Sequence, residues 1–265
     1  MCLNMRKKIV SFICALALCF TISSPALALN AVGETSELTA ESIREAYLNS
    51  EQFQAHLRDD PEGAMKTLNH VIDCLLTPSA SPMQTTPADD YAWVDTVLVK
   101  QLNSISCGPA CGYMAIYGAG KANSIPGSST TAKLQNLASE MGTASGVGTY
   151  VYRVANTLND YISTYQYDYF SGDVLSESNF RLYAYNSLAH DRAPILHART
   201  EYLSYYNGHA TGHYITIADF DYDTMTMKLY DPNNNNSYYG IHSVDWQEAY
   251  DCFTIPSGRY VILYA

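Results

Sequence analysis

A glutamine, a cysteine followed by Gly-Pro-Ala, and an apolar helical face behind them constrain this chain more than any other feature. Residues 101–120 read Gln-Leu-Asn-Ser-Ile-Ser-Cys-Gly-Pro-Ala-Cys-Gly-Tyr-Met-Ala-Ile-Tyr-Gly-Ala-Gly. Ala110, Cys111, Met114, Ala115 and Ile116 give a helical apolar face, and Pro109 suits a first turn, where its missing N–H costs nothing. Cys107 therefore stands at the predicted N-terminus of a helix. Unpaired N–H groups there favour thiolate over thiol. A thiolate is a nucleophile, and the Gln101 amide upstream can donate to an oxyanion forming on a carbonyl under attack.

A nucleophile needs a base. Gly212-His213-Tyr214-Ile215-Thr216-Ile217 puts a histidine at the entry to a β-like run that continues to about Phe220. The chain turns through Asp221-Tyr222-Asp223 and returns as Thr224 to Tyr230, ending in Asp231-Pro232-Asn233. Such a hairpin brings His213 and Asp231 to one end of adjacent strands. Asp231 can then orient the imidazole while the other ring nitrogen faces Cys107. His209 also follows a glycine but does not enter the strand directly, and Asp219 and Asp221 are expected in or near the turn.

Gln-x5-Cys-Gly-Pro-Ala, Gly-His-Tyr opening a strand and Asp-Pro after the next strand together resemble the bacteriocin-processing (double-glycine leader) peptidase-like family, within the papain-like cysteine peptidases. The resemblance covers roughly Tyr91 to Ala265. It implies Cys107 as nucleophile, His213 as base, Asp231 as orienting acid and Gln101 as oxyanion donor. It also implies a papain-like α+β fold, with N-terminal helices packed against an antiparallel β-sheet. The best-known members trim leaders on the cytoplasmic side of peptide exporters. This chain reads as carrying an export signal and no exporter domain, so leader processing is not expected of it.

That signal is Arg6-Lys7-Lys8, an apolar stretch from Ile9 to Ile22, and Ser23-Ser24-Pro25-Ala26-Leu27-Ala28. It has the charged start, short apolar run and Ala-x-Ala end of a secretory signal peptide, predicted here over 1–28. The run is shorter than the ~20 residues a membrane span needs, so no stable membrane insertion is expected after cleavage. Leu18 before Cys19 is too large for a lipoprotein site. Losing 1–28 removes three basic residues and no acidic ones, taking the formal charge from -11 to about -14. An acidic surface argues against nucleic acid and anionic lipid as partners. A peptide or protein substrate outside the cytoplasm, secreted or at the cell surface, fits better.

Cys74, Cys107, Cys111 and Cys252 remain after cleavage. A nucleophile must stay free, which leaves room for at most one disulfide among them. Cys111 lies one helical turn beyond Cys107 and is expected to pack inward. Zinc fits poorly without a second pair of close ligands. The Asp219-x-Asp221-x-Asp223 run lacks the glycine and glutamate of a calcium loop. No metal and no cofactor is expected.

Four regions follow: the signal at 1–28, a helical extension at 29–76, a linker at 77–90 rich in Pro, Ser and Thr, and the peptidase-like domain at 91–265. Within the extension, Ile43, Tyr47, Phe53 and Leu57 recur at helical spacing. Asp60-Pro61 then starts a helix with a stripe of Met65, Leu68, Val71, Ile72 and Leu75. This unit is either a propeptide or helices packed on the domain, and nothing marks a cleavage site. Beyond the linker the pattern predicts a strand at 92–99 and helices from Thr131 to Met141 and through Val151 to Ile162. It further predicts a helix capped by Ser178 and strands from Pro194 and at Tyr260–Tyr264. The expected function is an exported cysteine peptidase working through a thioester. The alternatives are a cell-wall peptide amidase or transpeptidase with the same residues, or a non-catalytic peptide-binding module.

Overall fold

Capping residues divide the N-terminal helical region in three. Thr39 accepts a hydrogen bond from Ser42 N and starts α1 (Ala40–Leu48), and Ser50 accepts from Phe53 N and starts α2 (Glu51–Asp59). Asp60 accepts from Gly63 N and starts α3 (Pro61–Leu76), with proline in its first turn. Each cap satisfies a backbone N–H that a helix start leaves open. The buried face of α3 is Ala64, Leu68, Val71, Ile72 and Leu75; Met65, expected in that stripe, sits at its edge and is 40% exposed. The computed structural model describes residues 38–77, 90–162 and 167–264. The signal at 1–28 and nearly all of the linker at 77–90 lie outside these residues.

After β1 (Tyr91–Trp93) come α4 (Cys107–Gly118), α5 (Thr130–Glu140), α6 (Val151–Ile162), β2 (Tyr167–Ser171) and α7 (Glu177–Ala189). Then follow β3 (Ile195–Arg199), β4 (Gly212–Asp221), β5 (Thr226–Asp231), β6 (Gly240–Asp245), α8 (Trp246–Thr254) and β7 (Tyr260–Tyr264). The sheet runs β2-β7-β3-β4-β5-β6, with β1 paired to the far part of β4. Every pairing is antiparallel. Helices packed on an antiparallel sheet make the α+β class expected from the sequence.

Three local expectations change. The strand predicted at 92–99 pairs only over Tyr91–Trp93, although Val94 N still reaches Ala218 O at 2.9 Å. Ser176, not Ser178, caps α7, accepting from Asn179 N. The strands β2 and β6 and the helix α8 had no counterpart in the sequence reading.

Two packing features position the site. Helix α4 is buried from Gly108 to Ile116 and packs on β4, α5 and α6. A helix apolar on all sides belongs in a core, and this one carries Cys107 at its start. The N-terminal helices share the sheet's core: Tyr47 and Phe53 are fully buried, each stabilising by roughly 1.5–3 kcal/mol. Tyr47 Oη donates to Tyr169 O (2.6 Å) and Tyr183 Oη to Cys74 O (2.7 Å).

Candidate active site

Ser106 precedes α4 without capping it. Its hydroxyl is occupied by Asn103, accepting from the backbone N (3.0 Å) and donating to the carbonyl (3.2 Å). The first-turn N–H groups stay available, and backbone hydrogen bonds from Tyr214 and Gly108 reach the half-buried Cys107 sulfur. Gly108 is required for space: a Cβ there would lie 2.9 Å from Thr149 Cβ. The loop bearing Thr149 is pinned in turn by Tyr214 Oη, which donates to Thr149 O at 2.8 Å.

The β4–β5 hairpin brings His213 and Asp231 together. His213 Nε2 donates to Asp231 Oδ1 at 2.8 Å, and the His213 side chain favours the Cys107 thiolate. With Nε2 on the carboxylate, Nδ1 is the ring nitrogen left for the thiol. Asp231 is fully buried and accepts three more bonds: Asn233 N (2.8 Å), Tyr206 Oη (2.8 Å) and Tyr205 Oη (3.0 Å). Four donors on one buried carboxylate fix its position and that of the ring it holds. His209 stands apart, exposed in the loop before β4 with its ring against Tyr238 at 5.6 Å.

Burial alone would raise the Cys107 pKa. The hydrogen bond and charge of His213, with the two backbone bonds, outweigh it and leave the thiol below its ordinary value. For His213, burial disfavours the cation, but Asp231 and Cys107 reverse that and hold its pKa well above an ordinary histidine's. The two groups titrate as a pair. Cys111 and Cys252 contrast with Cys107, since burial pushes both thiols up.

Gln101 is tied to the same end of the hairpin, its backbone N donating to Pro232 O at 2.8 Å. Its Nε2 donates to Asn103 O at 2.7 Å, and its buried Oε1 has no hydrogen-bond partner among the described residues. A primary amide has two N–H bonds, so one remains after Asn103 is satisfied.

A cleft of about 500 Å³ opens over Cys107 and His213. Gln52 of the N-terminal helices lines it and also accepts from Val151 N (2.9 Å), serving the start of α6. Gly146 to Thr149 form another wall, and His197, Tyr214 and Arg259 complete it. The sequence reading missed Gln52, His197, Arg259, Tyr205, Tyr206 and Asn233. Only Asn233 had a local signal, since a residue two beyond an Asp commonly donates its N–H back to that carboxylate.

A cysteine opening a buried helix, packed on an antiparallel sheet that carries a histidine at its rim, is the papain-like α+β arrangement. Residues 94–258 match the Peptidase_C39 like family, and the chain belongs to that family. Membership supports a peptidase-like function. Solved structures to which the chain is similar include a double glycine motif protease from an AMS/PCAT transporter in complex with the leader peptide (13% identity, 65% of this chain, 94% of that chain, TM-score 0.42). Another is a putative C39-like peptidase from Bacillus anthracis (13% identity, 67% of this chain, 98% of that chain, TM-score 0.42). No curated protein matches the chain.

Proposed function

We propose that the chain is an exported cysteine peptidase that hydrolyses peptide bonds through a thioester on Cys107. Cys107 and His213 lining one open cleft, with His213 Nε2 bonded to the buried Asp231, carry this reading. The Cys107 thiolate attacks the substrate carbonyl carbon, and the charge moves to the carbonyl oxygen. The free N–H of the Gln101 amide and the N–H groups at the start of α4 suit that oxyanion. As the intermediate collapses, imidazolium His213 protonates the departing amine and the acyl group stays on sulfur. Water then attacks the thioester, giving its proton to His213, and the carboxylic acid leaves with the thiolate restored. Asp231 holds the ring in the tautomer and orientation these transfers need.

In this proposal the helices over 40–76 stay with the enzyme rather than leaving as a propeptide, because their buried residues share the sheet's core. The segment 1–28, read as an export signal, places the activity outside the cytoplasm, so exported protein should begin at Leu29. Recovery from inside the cell with an intact N-terminus would contradict export.

Incubation of the full chain with proteome-derived peptides tests the catalytic reading, with mass spectrometry of new termini and of acylated Cys107. New termini with the wild type and none with Cys107→Ala are expected. Cleavage that persists in the variant, or none with the wild type, defeats the proposal.

A further inference from the structure

The cleft contains a charged group that the acyl-transfer steps leave unused, the Arg259 guanidinium just before β7. Its Nη1 donates to His197 Nε2 at 2.8 Å. It also lies against Gly212, the neighbour of His213; a Cβ there would sit 3.1 Å from Nη1 and 3.3 Å from Nη2. Glycine at the strand entry thus makes room for the cation beside the base. The nearby acid, Glu201, is taken by Arg199, whose Nη2 donates to it at 2.8 Å and whose Nε reaches both carboxylate oxygens at 3.1 Å. Among the described residues Arg259 has no ion-pair partner.

His197 seats that cation. Arginine only donates, so Nε2 accepts from Arg259 and Nδ1 carries the ring proton. Burial, with the adjacent Arg259 cation, pushes the His197 pKa down to about 3, which keeps the ring neutral. His197 is 8% exposed and its ring stacks on Tyr214 at 4.9 Å.

An arginine fork with open N–H groups suits a carboxylate. We propose that Arg259, held in place by His197, forms a carboxylate-binding subsite of the cleft, selecting peptides with an acidic side chain or a free C-terminus close to the scissile bond. The inference deepens the peptidase reading and rests on Cys107 marking the reacting centre. Glu51 lines the same cleft but makes no ion pair with Arg259. The net charge of -11 opposes acidic peptides at long range. Salt screens that repulsion beyond about 8 Å, so selection arises at contact.

Binding to the full chain carrying Cys107→Ala, read by fluorescence anisotropy, tests the subsite without requiring turnover. Short alanine-based peptides would carry Glu or Gln at successive positions, and each would end in either a free acid or an amide. At least one carboxylate peptide should bind about 10-fold tighter than its neutral partner, the return on a charge-assisted bond. A Glu preference at an internal position assigns the side chain, whereas an acid-over-amide preference assigns the chain end. Arg259→Met should erase the preference, and Arg259→Lys should retain part of it, with thermal melts checking that both fold. Equal binding within every pair, no binding of any carboxylate peptide, or a preference that survives Arg259→Met would overturn the subsite. Absence of hydrolysis by the wild type would instead defeat the peptidase reading and leave the binding ratio intact.

Discussion

Cys107–His213–Asp231 and Cys74–His70–Asp168 join the same three side-chain types in one molecule, in opposite settings. In the second set His70 Nδ1 bonds Asp168 Oδ2 and His70 Nε2 lies 3.8 Å from Cys74 Sγ. Cys107 opens its helix, whereas Cys74 is in the last turn of α3. Cys107 lines the cleft; Cys74 is 4% exposed and packed into the core. The backbone around Cys107 donates to the sulfur, while the Cys74 carbonyl receives the Tyr183 hydroxyl. Residue types alone therefore do not make a nucleophile. Place on the helix and access to the cleft separate Cys107 from Cys74, which ties the N-terminal helices to the sheet.

The largest effect that separates the two sets is loss of the thiol. Cys107→Ser should reduce peptide hydrolysis by at least about 10⁴-fold, and Cys74→Ser should leave it unchanged. Equal losses in the same peptide assay would break the comparison. Loss of the histidine comes next: His213→Ala should lower turnover about 10²–10⁴-fold. It should also move the pH inflection of Cys107 alkylation up toward the free-thiol value of about 8.5. His70→Ala should do neither.

The second set should instead show itself in stability. The His70 pKa is raised to about 10, chiefly by its hydrogen bond to Asp168. A histidine raised on folding contributes fully below its unfolded value, about 6.5. That contribution falls as pH rises through the folded value. The wild type should exceed His70→Ala in denaturant midpoint at pH 6, and the gap should close toward pH 10. The gap should be about 1–2 kcal/mol, near the lower end because the His70 side chain is 35% exposed. A gap that is constant with pH would remove the ion pair from the account. Smallest is the loss of one donor to Asp231: Tyr205→Phe should cost roughly 1 kcal/mol, or about five-fold in kcat/KM. An unchanged kcat/KM would show that Tyr205 does not help position the acid.

What the sequence made legible follows from how local each cause is. The start of α4 was readable because proline, small residues and helical apolar spacing all act within one turn. The β4–β5 hairpin was readable because an apolar, β-branched run before an Asp-Tyr-Asp turn is followed by an alternating one. Helix α2 was concealed because Ile43 and Tyr47, then Phe53 and Leu57, repeat at the same four-residue spacing on either side of Ser50, so two helices pass for one run. β2 is buried on every residue, and the Tyr-Asp-Tyr-Phe-Ser run shows no alternation by which to recognise it. The walls of the cleft were harder still. Arg259 reaches His197 across 62 positions of sequence and Gln52 reaches Val151 across 99. Neither residue carries a local sign of its neighbour. The two Cys–His–Asp sets show the same limit, since β2 brings Asp168 to a histidine 98 positions away.

The most direct test is competitive iodoacetamide labelling of Cys107 and Cys74 in one sample across pH, with each site read by mass spectrometry. The account predicts fast labelling of Cys107 with an inflection well below the free-thiol value of about 8.5, while Cys74 labels slowly at every pH. An inflection of Cys107 at the free-thiol value, or labelling no faster than Cys74, would contradict an activated nucleophile and leave the cleft as a binding site only.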